Sequence, residues 1–231
     1  GMAVLFPQNR SMKDPYKLVL ALAERFKALG GRMDRGEAVG FTRGAALREV
    51  VLKDGRRLPA DEVVICAGAY SARLAAMLDE PIPLETERGY NTTLPADALD
   101  LRTQITFGGH GFVISRLSTG IRVGGAVELG GLDLPPNFKR SEAMLHKAKA
   151  FLPGLRTEGG VQWMGFRPSL PDSLPAIGPS RASRDIIHAF GHGHLGQGDA
   201  VLVRSQGGGQ GFGLLGVQGF DGCIHGNLRF D

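Results

Sequence analysis

Leu18, Leu22, Phe26 and Leu29 recur at helical spacing behind Asp14-Pro15, and the run stops at Gly30-Gly31. Asp14 can cap a helix and Pro15 suits its first turn, so the pattern predicts a helix over 15–29. Ahead of it, residues 2–9 are a short apolar run ending at Pro7. After it the period changes. Glu37–Thr42, Leu47–Leu52 and Val63–Ala67 read as strands, and Asp54-Gly55 between Val50-Val51-Leu52 and Arg57-Leu58 predicts a hairpin. Val63-Val64-Ile65-Cys66-Ala67 is apolar throughout, as expected of a strand covered on both faces. Gly68 ends that strand, and Ser71 is placed to cap a helix through Leu78. Strand, small residues and helix make half of a nucleotide-binding crossover. Gly68 would either admit backbone close to a ligand or serve the turn's geometry alone, and the pattern leaves both open.

Pro81 and Pro83 mark a linker, after which the texture changes. Tyr90–Leu94, Thr103–Phe107, Phe112–Ser115 and Ile121–Gly125 are short segments joined by glycine-rich turns, the signature of an antiparallel sheet. Ser141–Leu152 predicts a helix, capped by Ser141 and stopped by Pro153-Gly154, and Val161–Phe166 returns as a strand. The chain therefore divides into an α/β layer (1–80), a β-rich insertion (81–165), a return to the first layer (166–196) and a tail (197–231). The tail is dense in glycine and its apolar residues keep neither period two nor 3.6, so it is expected to be poorly ordered.

With 42% hydrophobic and 22% charged residues, the 231-residue chain has an ordinary globular composition. A net charge of +4, with no basic run interleaved with aromatics, argues against nucleic acid as a partner. Cys66 and Cys223 form neither a metal nor a redox spacing, which suits a reducing cytosol. No apolar run is long enough to span a bilayer, and no signal peptide is evident.

The chemistry concentrates between Gly165 and Gly196. Arg167 is followed by Pro168, Pro171 and Pro175, so the chain there is stiff and extended. Ile186-Ile187-His188-Ala189-Phe190 reads as a buried strand emptying into Gly191-His192-Gly193-His194-Leu195-Gly196. A guanidinium can grip a carboxylate through two parallel hydrogen bonds. Arg167 would either do this or pair structurally with Asp172 or Glu158, and Glu87-Arg88 carries the same ambiguity. Gly191–Gly196 and Gly211–Gly216 both fit G-x-G-x-x-G, but neither has the strand, helix and downstream acid of a dinucleotide fingerprint. The first remains a candidate for a cofactor-contacting loop of another kind. His188, His192 and His194 lack the rigid frame of a metal site; alternation sends His188 to the same face as Phe190. No G-x-S-x-G elbow supports hydrolase chemistry.

Taken together, PLETERGYN (83–91), WMGFRPSLPDSLPAIGPS (163–180), AFGHGHLG (189–196) and ADEVVICAGAYSARL (60–74) resemble the FAD-dependent D-amino-acid oxidase/dehydrogenase family, in its bacterial D-amino-acid-dehydrogenase-like branch. The resemblance implies an α/β (α+β) fold: an incomplete Rossmann-like FAD-binding layer with an inserted antiparallel substrate sheet. It implies oxidation of an amino acid at the carbon bearing the amine, with hydride passing to the flavin and the imino acid then hydrolysing. On that resemblance Arg167 and Tyr90 would contact substrate, Arg167 through its carboxylate. Val39, Ala67, Gly68, Arg88 and Gly89 would contact FAD, as would Gly191, His192, Gly193, His194, Leu195 and Gly196 through loop amides. No side chain is named as a catalytic base, because a neutral amine can lose hydride directly.

Two departures qualify this. The family's opening strand and pyrophosphate-binding glycine loop align ahead of residue 1, and after GHGHLG the chain continues QGDAVLVRSQGGGQGFG instead of with the family's helix. The expectation is therefore a fragment, weak or inactive alone, located in the cytoplasm or, by family analogy, peripherally at the inner membrane. The competing expectation is a non-enzymatic remnant that associates with itself or with a separate FAD-domain chain, because the strand 63–67 would lack neighbours.

Overall fold

A computed structural model describes Val4 and residues 14–43, 47–193 and 213–215. Helix α1 (Pro15–Ala28) starts as its sequence predicts: Asp14 Oδ1 accepts from the Lys17 amide at 3.1 Å, and Gly30 takes a left-handed φ of 90° beyond its end. Phe26 is its buried residue, while Leu18 and Leu22 stay exposed. Strands β1 (Ala38–Arg43), β2 (Leu47–Leu52) and β3 (Arg57–Pro59) form an antiparallel sheet in that order. Gly55, at φ 88°, turns the β2–β3 hairpin at the Asp54-Gly55 pair.

Strand β4 (Val63–Ile65) leads through a single 3₁₀ turn at Gly68–Tyr70 into α2 (Ser71–Ala76). Five strands then form the second sheet: β5 (Glu85–Leu94), β6 (Ile105–Phe107), β7 (Phe112–Leu117), β8 (Gly120–Leu129) and, after α3 (Lys139–Phe151), β9 (Val161–Ser169). Their order is β6-β7-β8-β5-β9, and every pairing is antiparallel. β9 runs through Arg167, so the division expected at 165/166 falls inside a strand. As an edge strand, β9 tolerates Pro168.

The chain returns through β10 (Ala176–Pro179) and β11 (Ile186–Phe190), antiparallel to each other, and β11 lies parallel to β4. Gly213–Leu215, from the stretch expected to lack order, forms β12, parallel to β4 on its other side. β4 is therefore flanked on both edges, contrary to the unpaired strand read from the sequence. One apolar cluster joins Val50, Leu52, Val63, Ile65, Leu74, Leu78, Ile186 and Phe190. A second joins Leu94, Phe112, Ile114, Ile121, Val123, Met144 and Leu155 beneath α3.

The expected serine caps are not used. α2 grows out of a 3₁₀ turn with Tyr70 at its cap, and α3 begins two residues before Ser141 with Phe138 at its cap. The Ser71 and Ser141 hydroxyls are instead buried without a hydrogen-bond partner in the protein.

Candidate functional site

The site is built on the β5–β9 pairing, whose register sets Glu87 opposite Arg167, Arg88 opposite Phe166, Gly89 opposite Gly165 and Asn91 opposite Trp163. Side chains alternate across a strand, so this register sorts the residues onto two faces. Arg88, Tyr90 and Leu94 share the face that α3 covers. Glu87, Gly89, Asn91, Trp163, Gly165 and Arg167 share the other.

On that second face the glycine pair leaves the sheet bare, and two large side chains occupy the space. A Cβ on Gly89 would collide with the Arg167 guanidinium, and one on Gly165 would collide with the Trp163 indole. Directly opposed residues lie about 5 Å apart, so guanidinium and indole converge on adjacent points of the sheet. Burial lowers the Arg167 pKa from its ordinary value, and the nearby Glu87 carboxylate opposes that shift. Arg167 Nη1 is buried and has no partner within the protein. The structural pairings entertained from sequence are not the ones formed: Asp172 accepts from the Leu174 amide at 3.0 Å, and Glu158 accepts from the Thr157 amide at 3.0 Å. A desolvated cation with an unmet donor costs on the order of 1–3 kcal/mol, more than a neutral donor would, and an anion placed there recovers it.

The loop after β11 reaches the same strand. His192 forms an antiparallel bridge with Ser169, two residues beyond Arg167, and the Gly193 amide donates to the Pro168 carbonyl at 2.6 Å. Left-handed φ values at Gly191 (88°) and Gly193 (53°) make this bend possible. The Gly193 N–H is thus engaged inside the protein and is not one of the free amides the sequence suggested. His194, Leu195 and Gly196 lie outside the described residues. Ala67 is buried at the carboxyl end of β4, and Gly68 follows at φ 56°. The turn they open meets β9 on the face that carries Arg88, through an edge contact of Tyr70 with Phe166, ring centroids 6.3 Å apart. In open α/β sheets, ligands bind beyond the carboxyl ends of parallel strands, and β4 and β11 both end in these glycine turns.

Arg88 and Tyr90 are both engaged within the protein. Arg88 is 1% exposed, and its guanidinium donates to the carbonyls of Gly131 (2.7 Å), Leu134 (2.6 Å) and Pro135 (3.1 Å). The Tyr90 hydroxyl donates to Glu128 and accepts from the Asn137 amide at 3.0 Å. Both lie across the sheet from Arg167, because side chains alternate along β5. Val39 sits in the separate three-stranded sheet, at the residue where the β1–β2 register shifts. Trp163 and Gly165 lie within the resembling stretch 163–180, and only the β5–β9 register puts them on the Arg167 face.

His188 shares a face with Phe190, as alternation requires, their rings 5.4 Å apart in an edge contact. Its Nε2 lies 2.8 Å from Glu80 Oε2. No group of three His, Cys, Asp or Glu side chains is placed for a metal among the described residues, and no helix there is long and apolar enough to cross a membrane.

The fold is mixed α/β, with Arg167 on an antiparallel sheet and glycine turns beyond the ends of two parallel strands. The sequence pattern of the FAD dependent oxidoreductase family (DAO) matches residues 1–200, and the chain belongs to that family. It is 38% identical over 200 residues to a D-amino-acid oxidase of Bradyrhizobium diazoefficiens, covering 85% of this chain and 48% of that protein. It is 34% identical over 197 residues to a D-amino acid dehydrogenase of Sinorhizobium medicae, covering 84% of this chain and 47% of that one. The chain thus spans about half the length of the curated relatives it matches. Glycine oxidase from Geobacillus kaustophilus shares the fold, with a TM-score of 0.60 and 23% identity over 68% of this chain and 42% of that one.

Proposed function

We propose that this chain carries the substrate-binding sheet of an FAD-dependent oxidoreductase that oxidises the amine-bearing carbon of a D-amino acid. The observation that carries this reading is Arg167: a half-buried guanidinium seated on the bare Gly89 backbone, with Nη1 lacking a partner, beside the strand that meets the His192 turn. A carboxylate received there is held in orientation as well as charge. The glycine turns at Gly68 and Gly191, beyond the ends of β4 and β11, are the residues suited to receive the edge of a flat ring system. FAD supplies the acceptor for the substrate's hydride. The protein's own part is to fix the α-carbon by its carboxylate and to keep water from the guanidinium.

The experiment is a flavin titration of the whole chain. Oxidised flavin absorbs near 450 nm, and the reading expects that band to bleach on anaerobic addition of a D-amino acid. Stoichiometric flavin with no bleaching by any D-amino acid overturns the catalytic reading.

The self-associating remnant no longer has an unpaired β4 in its favour. Its support is now α1, which exposes Tyr16, Leu18 and Leu22. Light scattering tests it, since a chain that stays monomeric at high concentration excludes it.

A further inference from the structure

β5 has β8 on its other side, and that register sets Val127 opposite Gly89 and Leu129 opposite Glu87. Directly paired residues point to one face, so both apolar side chains stand on the face that carries Arg167. The Arg167 guanidinium occupies the place of a Gly89 Cβ, and Cβ atoms of opposed residues are about 5 Å apart. Val127 is therefore the cation's immediate neighbour across the strand pair. It is 38% exposed and Leu129 is 73% exposed, and neither belongs to either apolar cluster. The reason is the topology: the β7–β8 pairing ends at Val113–Gly124, so beyond it β8 is the outer strand. The other surroundings of Gly89 are filled. The Trp163 indole covers Gly165 on the β9 side, and Asn91, next on this face of β5, is 7% exposed.

We propose that Val127 and Leu129 are specificity-determining residues: a ligand whose carboxylate is held by Arg167 lays an apolar side chain across them. Two strand steps separate the pair, about 6.6 Å, so a methyl group touches only the first and a three- or four-carbon chain reaches toward the second. The site then favours D-amino acids with apolar side chains of that length over D-alanine, and over polar side chains of equal size. This rests on the reading of Arg167 as the carboxylate site.

The chain contains a single tryptophan, Trp163, lying over Gly165 opposite Gly89, so its emission reports on this face without any cofactor. The test titrates the whole chain with D-alanine, D-norvaline and D-homoserine, following Trp163 fluorescence. A methylene taken fully out of water tightens binding about fourfold, and here one side of the chain is covered. D-Norvaline should therefore bind about five- to tenfold more tightly than D-alanine, and D-homoserine no more than about twofold. In the double variant Val127→Thr, Leu129→Thr, which keeps strand-forming residues, the D-norvaline advantage should fall to within about twofold. Leu129→Ser alone, at the more exposed position, should remove part of it, and it serves should the double variant misfold. Equal binding of D-norvaline and D-alanine, an advantage that survives both substitutions, or a loss shared equally by all three ligands overturns the proposal while leaving Arg167 as a carboxylate site. If no ligand moves the emission, the reading of Arg167 itself fails.

Discussion

The Arg167 guanidinium lies against the bare backbone of Gly89, in the space where any other residue would put its Cβ. The two belong to neighbouring strands, and this contact holds the cation on one face of the sheet.

Gly89→Ala is the direct probe of that contact. The colliding atoms are the far end of a flexible side chain, and Gly89 needs no left-handed backbone, so the fold should survive with a stability change within about 1 kcal/mol. The displaced guanidinium should lose carboxylate affinity by tenfold or more, about 1.4 kcal/mol. Gly120→Ala is the contrasting control: there the new Cβ would meet the Leu94 carbonyl oxygen at a φ of 138°. Urea titration should report a loss of about 2 kcal/mol or more.

Arg88→Lys should act on stability alone. The substitution removes a buried fork that binds three carbonyls of the 131–135 loop and leaves an ammonium that cannot reach them all. A loss of about 3 kcal/mol or more is expected by urea titration, with carboxylate affinity per folded molecule unchanged. A selective loss of ligand affinity without a stability change would return Arg88 to the binding site.

Glu80 ties the start of the linker to the β10–β11 turn. Burial pushes its pKa up, but hydrogen bonds from His188, Ser180 and the Arg181 amide together outweigh that and leave it lowered. The Ala182 amide also donates to it, at 3.1 Å. Because the folded carboxylate is the stronger acid, its contribution is complete above the unfolded value of about 4.3 and drains away as the pH falls through the lowered native value. The difference in urea midpoint between the unsubstituted chain and Glu80→Gln should be largest near neutrality and shrink in acid. A difference that grows in acid would reverse the sign of this argument.

Local signals in the sequence located the elements well where a few neighbouring residues decide the outcome. Asp14-Pro15 set the start of α1, Asp54-Gly55 turned a hairpin, and the apolar run Ile186–Phe190 became β11. Part of the arrangement was legible: the His192 turn bridges to β9 at Ser169, two residues beyond Arg167. What stayed hidden depends on pairing between distant strands. The β5–β9 register, which a shift of one residue would invert, puts Glu87 and Gly89 with Arg167 and sends Arg88 and Tyr90 to the far face. The same limit explains Gly213–Leu215, three residues with no periodic signal that acquire order by lying beside β4.

The measurement closest to the central claim compares D-alanine with D-alaninamide on the unsubstituted chain and on Arg167→Leu, again through Trp163 emission. If Arg167 binds the substrate carboxylate, the leucine variant loses about 2 kcal/mol or more, roughly thirtyfold, for D-alanine and little for the uncharged amide. Equal losses for both ligands, or none for either, would make Arg167 a structural residue and contradict the account.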